Sequence, residues 1–209
     1  MKLHVLPASP RAFKVLAVAN HLGLAYETCI VDLSKGEQRL PGFTALNPNQ
    51  RMPVLEDDGF VLWESNAIIQ YLASKRPESG LFPGEAHANA EVSRWLFWDM
   101  AHWDAACTIL IFERVVKKLF SIGEADPAEI AKGNERFHRA AAVLDGQLKG
   151  HEYVTLDRLT LADFALGAAL NMAQHAQMPL APYAQIRRWY AGLSELPAWR
   201  KSDVHRTPG

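Results

Sequence analysis

The first third of the chain contains short apolar runs typical of strands, together with apolar residues at helical spacing. Apolar side chains recur at intervals of three and four residues between Phe13 and Leu22, which is the period of an amphipathic helix. Asp58-Gly59 lies between two short apolar runs and is a strong signal for a β-hairpin. The pattern predicts strands at residues 3–6, 26–33, 53–55 and 60–63, and helices at residues 11–22 and 65–73.

From about residue 87 onward, helical periodicity dominates and the strand signals fade. Pro127 suits the first position of a helix, and Thr160 with Asp163 forms the Ser/Thr-x-x-acid pattern of a capping box. We assign this box to folding rather than to catalysis. This half of the chain is predicted to hold helices at residues 91–120, 127–148, 161–177 and 183–193.

The order of these elements predicts two domains, of class α/β and all-α. A strand–helix–strand unit followed by a hairpin and a helix is the thioredoxin-like layout, βαβ-ββα. We therefore expect a thioredoxin-like domain at residues 1–77 and an all-helical domain at residues 86–209. Residues 78–85, which lie in a Pro- and Gly-rich stretch, form the predicted linker.

Composition narrows the range of partners and cofactors. The 209 residues carry a formal net charge of −1, which argues against nucleic acid as the main partner. No apolar stretch has the length of a membrane span, and the histidines show no metal-ligand spacing. Cys29 and Cys107 form no CxxC pair and suit a reducing compartment. We therefore expect a cytoplasmic protein with no metal, no membrane association and no nucleic acid partner.

Met52-Pro53 stands at the entry to a predicted strand. Proline cannot donate a ladder hydrogen bond and so belongs at a strand start, and an X-Pro bond can adopt the cis form at modest cost. A cis bond here would leave the N–H and C=O of Met52 free to pair with a peptide ligand laid alongside as an extra strand. Taken alone, the same two residues are better explained by an ordinary turn proline.

Glu64-Ser65 opens the second predicted helix. Ser65 is placed as its N-cap, and a helix N-terminus is a ready site for a carboxylate. Glu64 beside it can accept a hydrogen bond from an ammonium group. The pair therefore suits the headgroup of an α-amino acid, although, taken alone, it is better explained by a plain cap beside a solvated glutamate.

Taken together, these segments resemble a known family. The run from Asn47 to Leu55, N-P-N-Q-R-M-P-V-L, followed by W-E-S-N-A-I from Trp63, closely resembles the glutathione-binding half of glutathione S-transferases. The resemblance covers essentially the whole chain and is weaker in its helical half. It implies that Met52, next to Pro53, holds the cysteinyl backbone of glutathione, and that Glu64 and Ser65 hold its γ-glutamyl end.

The same resemblance places a catalytic serine in the turn after the first strand. This turn reads P-A-S-P-R and contains no Tyr or Cys, so the chain resembles a serine-type, phi- or theta-like bacterial member of the family, with Ser9 at the serine position. A free thiol has a pKa near 8.5, and a hydroxyl that donates to sulfur beside a helix N-terminus favours the thiolate. A cap without chemistry is the competing interpretation of Ser9.

A loop segment, K-G-E-Q-R, resembles a phi-like segment that approaches the glycyl carboxylate of glutathione. Gln38 and Arg39 would take that role, with Gln38 standing where phi-like enzymes have His. Arginine can grip a carboxylate with two parallel hydrogen bonds. Arg51 would offer a further donor nearby, or would simply be solvated.

The resemblance implies an enzyme, a glutathione transferase that uses glutathione as co-substrate and adds its thiolate to a small, mostly apolar electrophile. Because a fold does not fix a reaction, other glutathione chemistry remains open, namely peroxide reduction, dehalogenation or isomerisation. A non-catalytic glutathione- or partner-binding protein, including a stringent-starvation-type regulator, is a further alternative. The resemblance also implies a homodimer, with the helical domain and the 52–65 region at the interface. The sequence identifies neither the electrophile nor the physiological role.

Overall fold

The computed structural model describes residues 1–203. These form two compact units. The first comprises Met1–Phe82 together with the segment that begins at Leu196, and the second is Pro83–Glu195. The predicted fold class is confirmed, because the first unit holds a mixed sheet with helices and the second is helical.

The sheet of the first unit has the thioredoxin-like strand order. Within residues 1–203 it contains four strands, in the order β2-β1-β3-β4. β1 pairs in parallel with β2 and antiparallel with β3, and β3 pairs antiparallel with β4 across the predicted Asp58-Gly59 turn. The strands are β1 Lys2–Val5, β2 Glu27–Ile30, β3 Val54–Asp57 and β4 Phe60–Trp63.

The helices of this unit follow the local signals closely. Pro10 occupies the first turn of α1, where its missing N–H costs nothing, and Gly23 follows the helix with a φ of 63° that favours glycine. No helix or strand was predicted between residues 33 and 53, yet residues 41–46 form a short helix, α2. The helices are α1 Pro10–His21, α2 Pro41–Leu46, α3 Ser65–Ser74 and α10 Pro197–Ser202, with 3₁₀ turns at Leu33–Lys35, Glu37–Arg39 and Pro77–Ser79.

The core of the first unit is built around α1. Its residues from Ala12 to Ala19 are all buried, as are Leu3 and Val5 of β1. α10 packs on α1, where the rings of Phe13 and Trp199 meet edge to face with centroids 4.8 Å apart. The compact units thus differ from the predicted domains, since the 197–202 helix packs with the thioredoxin-like unit rather than with residues 86–195.

The second unit is helical throughout the residues that form regular structure. The predicted long helix at 91–120 is a continuous helical run that begins earlier, at Ala86, and contains two π-helical segments, Asp99–Trp103 and Phe112–Val116. The helix predicted at 161–177 is shorter in the structure. Its α-helical part ends at residue 168, and a 3₁₀ turn, Ala169–Met172, follows. The α-helices are α4 Ala86–Trp98, α5 Asp104–Ile111, α6 Lys117–Phe120, α7 Pro127–Gln147, α8 Leu161–Ala168 and α9 Ala184–Ser194.

The predicted capping box at the start of α8 is present. The Thr160 hydroxyl accepts from the Ala162 N–H, and the Asp163 carboxylate accepts from the Thr160 N–H at 2.9 Å. Asp163 also accepts from the Val154 N–H and from the indole N–H of Trp189, each at 2.9 Å. A single buried carboxylate therefore joins the 154–160 loop, α8 and α9.

Candidate functional site

The segments that carry the predicted site residues of the first unit begin or end at one edge of the sheet. His4 of β1 pairs with Val54 and Val5 pairs with Ile30, so the end of β1, the end of β2 and the start of β3 meet at this edge. Val54 in turn pairs with Trp63, which places the end of β4 there as well. The segments that follow or precede these positions carry Ser9, Gln38, Arg39, Arg51, Met52, Pro53, Glu64 and Ser65.

Ser9 occupies the N-cap position of α1 without using its side chain as a cap. Its backbone is extended, its N–H donates to the Leu6 C=O at 2.8 Å, and its C=O accepts from the Phe13 N–H at 2.9 Å. The hydroxyl makes no capping hydrogen bond and is partly exposed. The hydroxyl therefore lies at a helix N-terminus with its proton available to an acceptor. If Ser9 were only a cap, its side chain would be expected to accept from an N–H of the first turn.

The Met52–Pro53 bond is cis, as the sequence analysis allowed. The ladder of β3 begins only at Val54, so Met52 precedes the paired residues. Buried Asn47 shapes the turn before it, because its side-chain amide donates to the Arg51 C=O at 2.7 Å and accepts from the Asn49 N–H at 3.0 Å. Sequence reasoning quoted Asn47 within the family motif but gave it no role.

The start of α3 differs from the prediction in one respect. Glu64, not Ser65, is the N-cap, and Ser65 is the first residue of the helix. Glu64 adopts a φ of 72° and a ψ of 112°, a conformation that a side-chain-bearing residue rarely takes, and no sequence signal indicated it. Its exposed carboxylate has no hydrogen-bond or ion-pair partner among residues 1–203, whereas Ser65 is buried.

The loop that carries Gln38 and Arg39 is held by local hydrogen bonds. Asp32 accepts from the N–H and the hydroxyl of Ser34 at 2.9 and 2.6 Å, and its own N–H donates to Glu37 at 2.8 Å. The hydrogen bonds from Ser34 and Lys35 lower the pKa of Asp32 to about 2, so this carboxylate stays charged at neutral pH. The buried Oε1 atom of Gln38 has no hydrogen-bond partner among the described residues.

Arg39 and Arg51 are both exposed and both belong to the segment between β2 and β3. The Asn47 side chain holds the Arg51 backbone by donating to its C=O. Arg39 ends a 3₁₀ turn, and its own N–H donates to the Gly36 C=O at 2.9 Å. Neither guanidinium has a hydrogen-bond or ion-pair partner within residues 1–203, so both can receive an anion.

Lys14 is a site neighbour that the sequence analysis missed. It belongs to α1 and is only 2% exposed, and its ammonium lies 2.7 Å from the Asn66 Oδ1 and 3.4 Å from the Ser65 Oγ. The available signal was a single lysine inside the apolar run F-K-V-L-A-V-A, but the partner of a buried charge cannot be read from such a run.

These features define a class of protein: a thioredoxin-like unit with a cis-proline before β3 and an acidic–serine start to α3, in a chain whose second unit is helical. Comparison with known proteins agrees with this assignment. The family model described as glutathione S-transferase, N-terminal domain, matches residues 1–74, and that of the C-terminal domain matches residues 100–197.

Individual relatives match over nearly the full length. The chain is 34% identical to glutathione S-transferase 3 of Zea mays over 207 residues, covering 97% of this chain and 92% of the relative. It is 26% identical to glutathione S-transferase D7 of Drosophila melanogaster, covering 97% and 88%. A solved structure of glutathione S-transferase III in its apo form has a TM-score of 0.86 at 30% identity, covering 100% and 99%.

The chain therefore belongs to the glutathione S-transferase family, and it is a glutathione transferase enzyme. In the part of the chain that the structure describes, no group of three or more His, Cys, Asp or Glu side chains is arranged to hold a metal ion. Over the same residues, no helix combines the length and the apolar character needed to cross a membrane.

Proposed function

We propose that this protein is a serine-type glutathione transferase in which the Ser9 hydroxyl donates to the sulfur of glutathione and the resulting thiolate attacks small, mostly apolar electrophiles. The observation that carries the proposal is the position of Ser9, at the N-terminus of α1 with a side chain that makes no cap. A hydroxyl donor and the positive end of a helix both stabilise a thiolate more than a thiol. Exposed Ile30, at the end of β2 on the same sheet edge, offers apolar surface for the second substrate.

The remaining residues of this edge would hold glutathione itself. The Met52 backbone beside Pro53 would pair with the cysteinyl residue, and Gln38, Arg39 and Arg51 would bind the glycyl carboxylate. Glu64 would accept from the γ-glutamyl ammonium, because its carboxylate is exposed and has no partner among the described residues. Ser65 would donate to the γ-glutamyl carboxylate at the start of α3.

A panel of substrates tests the reaction. We expect the wild-type protein to bind glutathione in calorimetry and to conjugate it to an aryl halide, detected as the thioether by mass spectrometry. The same preparation should reduce cumene hydroperoxide and displace halide from a small alkyl halide more slowly. Binding without conjugation, together with rapid turnover of the peroxide or the alkyl halide, would shift the assignment to that chemistry. Absence of glutathione binding would favour a partner-binding role.

We also propose a homodimer, in which a second copy covers one face of the helical unit. Two adjoining cavities of about 450 and 260 Å³ lie between α4 and α7 and share Trp98 and Val143. Trp95 lines the smaller one, and its buried indole N–H has no acceptor within residues 1–203. Exposed Val143 borders both cavities, and a second copy laid over them would cover this apolar surface.

The homodimer predicts a mass of two chains in light scattering, and Val143→Glu should convert it to a monomer. Val143 is 50% exposed in the single chain, and a carboxylate there would have to lose its water on dimer formation. Leu119→Glu is the matched control, since Leu119 is exposed and does not line either cavity. A monomeric wild type, or a Val143→Glu variant that remains dimeric, would contradict this interface.

The two cysteines, Cys29 and Cys107, are free thiols, and we propose a cytoplasmic location because that compartment keeps thiols reduced.

A further inference from the structure

Lys14 is a charged residue buried inside the apolar helix that carries Ser9. It is 2% exposed, and its sequence neighbours Phe13 and Val15 are fully buried. Burying an ammonium is costly unless its protons are hydrogen-bonded. Lys14 places its Nζ 2.7 Å from the Asn66 Oδ1 and 3.4 Å from the Ser65 Oγ, so it joins α1 to the first turn of α3.

The chemistry of the Lys14–Ser65 contact, 3.4 Å long, excludes one direction for the Ser65 hydroxyl proton. An ammonium can only donate, so the Ser65 oxygen must accept with one of its lone pairs. The hydroxyl proton then points away from Lys14. Among residues 1–203 this proton has no acceptor, although Ser65 is only 2% exposed.

The Ser65 hydroxyl can donate its proton to an acceptor atom of a bound ligand. The N–H groups of the first turn of α3 point toward this end of the helix, and they too lack intrahelical acceptors. A carboxylate placed at this end of the helix would take both kinds of hydrogen bond. Without Lys14, the Ser65 hydroxyl would be free to rotate and donate to the neighbouring Asn66 side chain instead.

We propose that Lys14 is a positioning residue for glutathione, which holds the Ser65 hydroxyl as a donor toward the γ-glutamyl carboxylate through its contacts with Ser65 and Asn66. This inference rests on the proposed role of Ser65 in glutathione binding. Lys14 acts through these two residues and does not itself touch the ligand. The same contacts join the start of α3 to α1.

The test compares glutathione affinity in Lys14→Met and wild type by calorimetry. Methionine keeps the length and apolar stem of lysine and removes the ammonium. We expect the Kd for glutathione to rise about tenfold, which is the value of one hydrogen bond to a charged group. The kcat at saturating glutathione and its pH profile should stay within about twofold of wild type, because Ser9 is unchanged. Lys14→Arg, which retains the charge and the donors, should recover most of the affinity.

Lys75→Met is the matched control. Lys75 follows the other end of α3 and pairs with Asp57, so its loss removes an ion pair from the same helix without touching the Ser65 end. Its Kd for glutathione should match wild type. A similar loss of affinity in both variants would overturn the inference, because general loosening of α3 would then explain it.

A double-mutant cycle with Ser65→Ala separates the inference from the proposed function on which it rests. If Lys14 acts through Ser65, Lys14→Met should have little further effect in the Ser65→Ala background. Additive effects would overturn the inference. If Ser65→Ala weakens binding but Lys14→Met does not, the proposed function stands and the role of Lys14 fails. If wild type does not bind glutathione, or Ser65→Ala binds as wild type does, the proposed site fails and the role of Lys14 fails with it.

Asn66→Leu keeps the inference testable if Lys14→Met does not give a folded protein by circular dichroism. Leucine is close to asparagine in shape and removes the acceptor that lies 2.7 Å from the Lys14 ammonium, the Asn66 Oδ1. We expect this variant also to raise the Kd for glutathione several-fold. A Kd equal to that of wild type would overturn the inference.

Discussion

Replacing Ser9 with alanine is expected to lower kcat/KM for aryl-halide conjugation by about 10- to 100-fold at pH 6.5, while glutathione remains bound. A hydrogen bond to a charged group contributes about 1.5–3 kcal/mol, and a hydroxyl that donates to sulfur would contribute it only to the thiolate. The rest of the proposed glutathione site, from Met52 to Ser65, is unchanged in this variant. The Kd for glutathione should therefore change by less than about threefold, measured below the pKa of the thiol.

The pH dependence of kcat/KM shows whether Ser9 acts on the ionisation of the glutathione thiol. If the Ser9 hydroxyl stabilises the thiolate, the pKa of bound glutathione in wild type lies below the value near 8.5 of a free thiol. The Ser9→Ala profile of kcat/KM should then shift toward higher pH, and the rate difference should narrow as the pH rises above the thiol pKa. Thiolate absorbance near 240 nm reports the same ionisation in the absence of the second substrate.

Ser74→Ala is the control for the loss of a serine hydroxyl. Ser74 is exposed at the end of α3 and donates only to the Tyr71 C=O, so its rate and pH profile should match those of wild type. Ser9→Thr retains the hydroxyl and should keep part of the rate. Wild-type activity in Ser9→Ala at pH 6.5, or a slower reaction with an unshifted pH profile, would show that Ser9 is a structural residue.

The elements that the sequence predicted well are those set by local signals. The Asp58-Gly59 hairpin, the stop of α1 before Gly23 and the start of α7 at Pro127 each depend on the backbone preferences of one or two residues. The register of the sheet then brings Ser9, Met52 and Glu64 to one edge. That convergence follows from strand order, so a correct topology predicts it.

The features that the sequence did not reveal depend on contacts between distant residues. α10 is only six residues long and packs against α1, nearly 190 residues away, so no local periodicity indicates it. The 2.7 Å contact of Lys14 with Asn66 crosses 52 residues of sequence. The shift of the α3 N-cap from Ser65 to Glu64 follows from a φ of 72° at Glu64, which the chain takes where β4 passes directly into the helix.

The two π-helical segments between Ala86 and Phe120 are a further feature that the sequence did not reveal. Periodicity predicted one helix, and the helical run is indeed unbroken, but each π segment shifts the helical phase of the residues that follow. Phase shifts of this kind change which side chains face the core. The sequence therefore predicted the helix without the register of its later part, and the exposure of Phe112 beside buried Ile111, which both follow the first π segment, could not be assigned in advance.

Asp163→Ala is expected to lower the free energy of unfolding by about 3–5 kcal/mol, the largest effect on stability that we predict. The Asp163 carboxylate accepts four hydrogen bonds: from the Val154 N–H, the Trp189 indole N–H, and the N–H and hydroxyl of Thr160. Burial raises its pKa, although these four bonds favour the charged form. Alanine would leave the donors buried without an acceptor, and each such donor costs about 1–3 kcal/mol.

Asp145→Ala shows how much of the expected loss in unfolding free energy depends on the burial of the carboxylate. The Asp145 carboxylate also accepts from backbone groups, the N–H of Gln185 at 2.8 Å and of Ile186 at 3.0 Å, but it is partly exposed and water can replace it. Its loss should cost about 1 kcal/mol, the usual value of a helix cap. Asp163→Asn should fall between the two alanine variants, because its carbonyl can serve one pair of donors while its amide N–H₂ opposes the Thr160 N–H. Urea unfolding at a constant m-value measures all three, and an Asp163→Ala cost no larger than that of Asp145→Ala would refute the role of this carboxylate as the link between the 154–160 loop, α8 and α9.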